Sequence, residues 1–431
     1  MSAELISILV LAVVFVIATT RSINMGALAF AAAFGVGELV ADLDADKIFA
    51  GFPGDLFVVL VGVTYLFAIA RSNGTTDWLV HASIRLVRGR VVLIPWVMFV
   101  LTGALTAIGA VSPAAVAIVA PIALSFAARY AISPLLMGAM VVHGAQGGGF
   151  SPISIYGTIV NGIVERENLP GSEITLFLAS LVVNIVIAGV VFVLFGGLKL
   201  AKANALAGGS GTAAEGPDDA DDTHATTDAA AARLTPARIA TLTALVALVV
   251  AVLAFDLDAG LTSITLAVLL AACWPEDSRN AVSQIAWSTV LLICGVLTYV
   301  GVLDQMGTID WAGEGVSDIG VPLLSAVLLC YIGALVSAFA SSVGIMGALI
   351  PLAVPFLAQG EIGAVGMVAA LAVSATVVDV SPFSTNGALV LAAAPGVDRE
   401  RFFRQLMVYG GIVVAVVPAV VWLALVVPDW G

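Results

Sequence analysis

The chain has 431 residues, 61% of them hydrophobic and only 10% charged, with a formal net charge of −13 and a mean hydropathy of +1.12. Soluble domains hold about 45–50% apolar and about 25% charged residues. This composition therefore excludes a water-soluble globular enzyme, a disulfide scaffold and a disordered chain, and leaves an all-α polytopic membrane protein. The acidic balance argues against a nucleic-acid partner. The three cysteines (Cys273, Cys294, Cys330) sit in apolar runs without metal-ligand spacing.

In chain order, the first apolar run, Leu5 to Ala18, lacks a basic segment before it and reads as a retained first helix. Predicted spans follow at 4–20, 23–41, 54–70, a region 91–130, a region 133–163, 174–198, 236–255, 260–275, 285–303, a region 320–358, a region 361–395 and 405–428. Residues 199–235 are small, polar and acidic, the composition of a flexible linker. The basic segment 71–90, with Arg71, His81, Arg85, Arg88 and Arg90, reads as an interfacial helix facing anionic lipid.

The basic residues predict the orientation. Arg21, Arg71, Arg85, Arg88, Arg90, Arg129, Lys199, Lys202, Arg233, Arg238, Arg279, Arg399, Arg401 and Arg404 fall on one side, and only Lys47 and Arg166 on the other. The richer side is expected to be cytoplasmic, with the linker inside and both termini outside. This count requires 91–130 and 320–358 to be re-entrant hairpins.

The halves are self-similar. Residues 103–157 match 333–387 at a constant shift of 230, with 17 identities in 55 positions. Ser112/Ser342, Pro121/Pro351, Ser151/Ser381, Pro152/Pro382, Ser154/Ser384 and Gly157/Gly387 are among them. Gly74-Thr75-Thr76-Asp77-Trp78 matches Gly307-Thr308-Ile309-Asp310-Trp311 at a shift of 233. The segment after the third span is basic in the first half. Its counterpart carries Asp304, Asp310, Glu314 and Asp318. The expectation is an inverted repeat of 5+5 transmembrane helices, each half with a re-entrant hairpin and a broken helix. The first repeat would be 1–198 (scaffold 1–90, hairpin 91–130, broken helix 133–163, helix 174–198). The second would be 236–431 (scaffold 236–303, hairpin 320–358, broken helix 361–395, last helix 405–428). Inverted repeats place substrate near the midplane, at broken helices.

Four polar interruptions could build that site: the tips at Ser112 and Ser341-Ser342, and the breaks at 147–154 and 380–387. Pro and Gly unwind a helix there. Half-helix N-termini suit carboxylates, and freed carbonyls and hydroxyls suit Na⁺. The substrate-binding candidates are Ser112, Gln146, Ser151, Ser154, Ser342, Ser381, Ser384, Thr385 and Asn386. An intramembrane carboxylate, Asp379, is a functional candidate by default. With His143 it is the candidate for cation coupling, through H⁺ or through Na⁺ near Ser381, Asn386 and Asp379. Tyr156 and Asn161 read as structural or interfacial. No Gly-x-Ser-x-Gly or His-Glu-x-x-His motif suggests an enzyme.

The pattern of a serine followed nine residues later by proline occurs as Ser112…Pro121-Ile122 and Ser342…Pro351-Leu352, and a break follows each. It resembles the ion-transporter superfamily that includes the divalent anion/sodium symporters. His143-Gly144-Ala145-Gln146-Gly147-Gly148-Gly149-Phe150-Ser151-Pro152-Ile153-Ser154 looks most like the malonate/dicarboxylate carriers of the MatC type. The resemblance implies a homodimer in a prokaryotic plasma membrane and an elevator-type secondary transporter of malonate or a C4-dicarboxylate. It implies no cofactor beyond a coupling Na⁺ or H⁺. The alternative within the superfamily is a cation/proton antiporter or an inorganic-anion carrier. The symporter tips read Ser-Asn-Thr. Here they read Ser112-Pro113-Ala114 and Ser342-Val343-Gly344, which leaves both coupling ions open.

Overall fold

A computed structural model describes residues 2–21, 23–86, 90–200, 234–255, 257–309, 311, 321–338, 342–358, 360 and 362–428. Most of the linker (201–233) lies outside these residues. So do Arg88, Asp310, Glu314, Asp318 and Ser341, and the side chains of His81 and Arg85. The described residues form helices and no strand.

The first half holds α1 (Ala3–Thr20), α2 (Met25–Leu39), α3 (Ala45–Ala50), α4 (Gly54–Ser72), α5 (Thr75–Leu86), α6 (Ile94–Ala107), α7 (Ser112–Arg129), α8 (Pro134–Gly148), α9 (Ile155–Arg166) and α10 (Glu173–Leu194). The second holds α11 (Pro236–Phe255), α12 (Ala259–Cys273), α13 (Pro275–Ser278), α14 (Trp287–Gln305), α15 (Pro322–Ser337), α16 (Ser342–Ala358), α17 (Ala364–Val377), α18 (Thr385–Ala393) and α19 (Arg399–Leu425). Six of them (α4, α7, α10, α11, α14 and α19) are long and apolar enough to cross a bilayer. With this composition, the protein is an integral membrane protein. Short polar residues start many of these helices. Asn24 accepts from the Gly26 and Ala27 N–H groups, and Asp398 from those of Glu400 and Arg401. Each cap satisfies amides the helix leaves free.

Element boundaries recur at the spacing read from the sequence. Helices α1, α2 and α4 begin at 3, 25 and 54, and α11, α12 and α14 at 236, 259 and 287. Helices α7, α8 and α9 begin at 112, 134 and 155, and α16, α17 and α18 at 342, 364 and 385.

The pairing between halves is crossed: α2 packs on α14, and α4 on α12. Glycines make both crossings. A Cβ on Gly26 would lie 1.9 Å from the Leu291 carbonyl oxygen, and one on Gly295 2.1 Å from that of Gly26. At the second crossing, a Cβ on Gly62 would lie 2.6 Å from the Gly260 oxygen, and one on Gly260 2.7 Å from the Val59 nitrogen. Close backbone approach through small residues is how helices associate in lipid, where apolar burial supplies no driving force. These helices, with α1 and α11, form one group. A second group is built around α8 and α17. Helix α8 packs on α6, α7 and α10, and α17 on α15, α16 and α19. Helix α7 also meets α18, and α9 meets α16.

Candidate functional site

The unwound segments fall where Pro and Gly predicted them. Helix α8 stops at Gly148 and α9 starts at Ile155, while α17 stops at Val377 and α18 starts at Thr385. Both breaks close with the same hydrogen bonds. Ser154 Oγ donates within reach of the Gly149 and Ser151 carbonyls and accepts from Gly157 N–H. Ser384 Oγ does the same with Asp379, Ser381 and Gly387. The glycine at the end is obligatory. A Cβ on Gly157 would meet the Ser151 oxygen at 2.0 Å, and one on Gly387 the Ser381 oxygen at 1.9 Å. The repeated Ser-Pro-x-Ser-x-x-Gly is thus a device that holds a broken helix open. Its second serine is committed to the backbone.

Hydrogen bonds tie the tips to the breaks. Asn386 Nδ2 donates to Ser112 Oγ at 2.8 Å, joining the first tip to the second break. Asp379 Oδ1 accepts from Ser342 Oγ at 2.6 Å, and Oδ2 from Gln146 Nε2 at 2.8 Å. Ser337 Oγ donates in turn to Ser342 at 2.8 Å. Tyr156 stands within interaction distance of Asp379, Ser112 and Gln146. All seven of these residues are buried, Asp379 at 7% exposure. The Asp379 carboxylate forms no ion pair among the described residues. Gln146 Oε1 and Asn386 Oδ1 are buried and have no hydrogen-bond partner there.

These groups border a cavity of about 650 Å³. From the tips and breaks come Val111, Pro113, Ala114, Tyr156, Ser342, Asp379, Phe383 and Thr385. Its other wall comes from α1, α2, α4, the start of α14 and the turn before it, including Asn24, Thr64, Arg71, Gln284 and Thr289. The cavity therefore lies between the two helix groups. It opens at the end where Arg71, Gln284 and Ser288 are exposed. The N-termini of α7, α16 and α18 reach it through Pro113, Ser342 and Thr385, and α9 through Tyr156, one residue after its own start.

Of the residues chosen from the sequence, Ser342, Asp379 and Thr385 line the cavity directly. Gln146, Ser112 and Asn386 stand one hydrogen bond behind that lining or beside it. Ser154 and Ser384 close the breaks. Ser151 donates to the Ala107 carbonyl, and Ser381 accepts from Phe383 N–H. His143 is elsewhere. Its Nδ1 lies 2.9 Å from Asn184 Oδ1 and its Nε2 2.6 Å from Tyr409 Oη. Asn184 Oδ1 can only accept, so Nδ1 carries the proton and Nε2 accepts from the tyrosine hydroxyl. This network joins α8, α10 and α19. The lining also holds polar and charged residues outside that set, among them Tyr156, Arg71 and Gln284. Tyr156 occupies the position of Asn386 at the shift of 230, and that equivalence was a usable signal.

Helices interrupted around a polar cavity between two helix groups have the architecture of a membrane carrier. Residues 1–149 match the family model described as dicarboxylate carrier protein MatC N-terminus. The resemblance to the MatC-type malonate/dicarboxylate carriers is borne out over that region. No curated protein matches the chain.

Proposed function

We propose that the protein is a cation-coupled secondary transporter of a small organic dianion, malonate or a C4-dicarboxylate, that works by elevator-type alternating access. The observation that carries this reading is the convergence of four helix starts and Asp379 on one cavity between two helix groups. Free N–H groups at helix starts attract carboxylates. The group of α1, α2, α4, α11, α12 and α14 would be the scaffold. The group around α8 and α17 would move. The helix pairs α6–α7 and α15–α16 would be re-entrant hairpins, the two halves would be inverted, and the cavity would face the cytoplasm. A homodimer follows from the resemblance.

Coupling would run through Asp379. Among the described residues its carboxylate has only neutral donors, Ser342 and Gln146. A dianion in the same cavity adds two more negative charges, so cations must accompany it. Two unpaired oxygens, Gln146 Oε1 and Asn386 Oδ1, suit a hard cation such as Na⁺. A proton on Asp379 serves equally. The test is uptake of labelled malonate and succinate by proteoliposomes, with imposed Na⁺ or pH gradients. Accumulation driven by one gradient is expected, and Asp379→Asn should leave uptake insensitive to it. Proton flux driven by Na⁺ with no dicarboxylate uptake would favour the antiporter reading instead.

A further inference from the structure

Arg71 ends α4 at the open end of the cavity. Among the described lining residues it is the one Lys or Arg, as Asp379 is the one Asp or Glu. Its Nε and Nη2 both donate to Gln284 Oε1, at 3.2 and 2.8 Å. A guanidinium has five N–H donors in a planar fork. Gln284 is neutral and takes two of them, and the described residues supply no carboxylate partner for the rest. Among the described residues the side chain is thus oriented by an amide while no carboxylate offsets its charge. An unpaired cation in the mouth of a low-dielectric cavity concentrates anions there. Basic residues at a membrane surface face lipid when nothing else holds them. This one is fastened across the cavity from the first half to the second.

We infer that Arg71, held by Gln284, is a carboxylate-capture site at the mouth of the cavity, and that it biases the protein toward dianions over monoanions. The inference rests on the dicarboxylate reading proposed above. A fixed positive potential acts on each charge of a ligand, so the fold-loss on removing it should be squared for a dianion relative to a monoanion.

The probes are malonate and its monomethyl ester, and the measurement is equilibrium binding to the purified full chain in detergent. Arg71→Gln should weaken malonate about tenfold and the ester about threefold. Arg71→Lys should retain most of the difference between the ligands. Raising KCl should shrink the wild-type preference and leave that of Arg71→Gln almost unchanged. Thermal melting of the variant checks that it is folded. Equal losses for both ligands, or no loss, in a folded variant would overturn the capture site while leaving the transporter reading intact. A wild-type protein that binds neither ligand would overturn both. If Arg71→Gln does not fold, Gln284→Ala is measured instead. It frees the fork and should reduce the preference for malonate over its ester, and an unchanged preference would count against the site.

Discussion

At the scale of single residues, the serines of the two breaks divide by task. Ser154 and Ser384 cap α9 and α18 and tie carbonyls that the unwound turn leaves free. Their replacement by alanine should cost about 1 kcal/mol each and lower the melting temperature. Thr385 and Ser342 touch the cavity, so Thr385→Val and Ser342→Ala should raise the half-saturating concentration for uptake with smaller effects on melting. A common loss of stability across all four variants would mean that no such division exists. Glycines divide in the same way. Gly157→Ala and Gly387→Ala place a methyl about 2 Å from a carbonyl oxygen, and overpacking of this kind costs about 3 kcal/mol. Gly35 has open space around it, so Gly35→Ala in α2 should be neutral or slightly stabilising. Thermal melts in detergent separate the two classes. The sequence made the breaks legible because Pro and Gly carry backbone meaning wherever they stand. It did not separate capping serines from lining ones, since both are the same residue in the same motif.

At the scale of elements, the cavity's second wall was not legible. Helices α1, α2, α4 and α14 read as apolar spans, and nothing in a span's own pattern says which face will border water. From sequence alone Arg71 therefore reads as an interfacial charge, and Gln284 carries no signal of its own. The end of the molecule away from Arg71 shows the reverse arrangement. Arg166 at the end of α9 pairs with Asp55 at the start of α4, with Nη2 and Oδ1 2.7 Å apart. This pair joins the proposed moving group to the proposed scaffold. It is partly exposed, so it should be worth under about 1 kcal/mol. Arg166→Gln should therefore shift the balance of conformations by no more than about fivefold, lowering maleimide labelling of a cysteine placed at Ala114. Exchanging the charges, Asp55→Arg with Arg166→Asp, should restore it. Unchanged labelling in Arg166→Gln would remove the pair from the conformational balance. Beside it, burial and the neighbouring Asp304 raise Glu167 above its usual range, and Arg166 opposes them. Its ionised form is disfavoured in the folded protein. The stability it contributes is present below about pH 4.5 and is lost as pH rises through the raised value. Glu167→Gln should flatten that part of the melting-temperature profile.

At the scale of the whole molecule, the duplication read from 17 shared positions reappears in the starts of equivalent helices. Arg71 and Asp304 are equivalent at the shift of 233, so one end of α4 carries a cation where the matching end of α14 carries an acid. The two copies thus share a backbone plan and differ in charge. The crossing of α2 on α14 and α4 on α12 was beyond the reach of sequence pattern, because glycine notches reveal their partner only when the helices meet.

That interlocking bears on how the chain is made. When synthesis has reached only the linker, Gly26 and Gly62 have no partner helix, and the early half must wait in the bilayer with both notches uncovered. Translation of the later half then completes two clasps at once. Cutting the gene within 201–233 and expressing the fragments together should therefore still yield an assembled protein that co-purifies through a tag on either fragment. Expressed singly, each fragment should be cleared by membrane proteases.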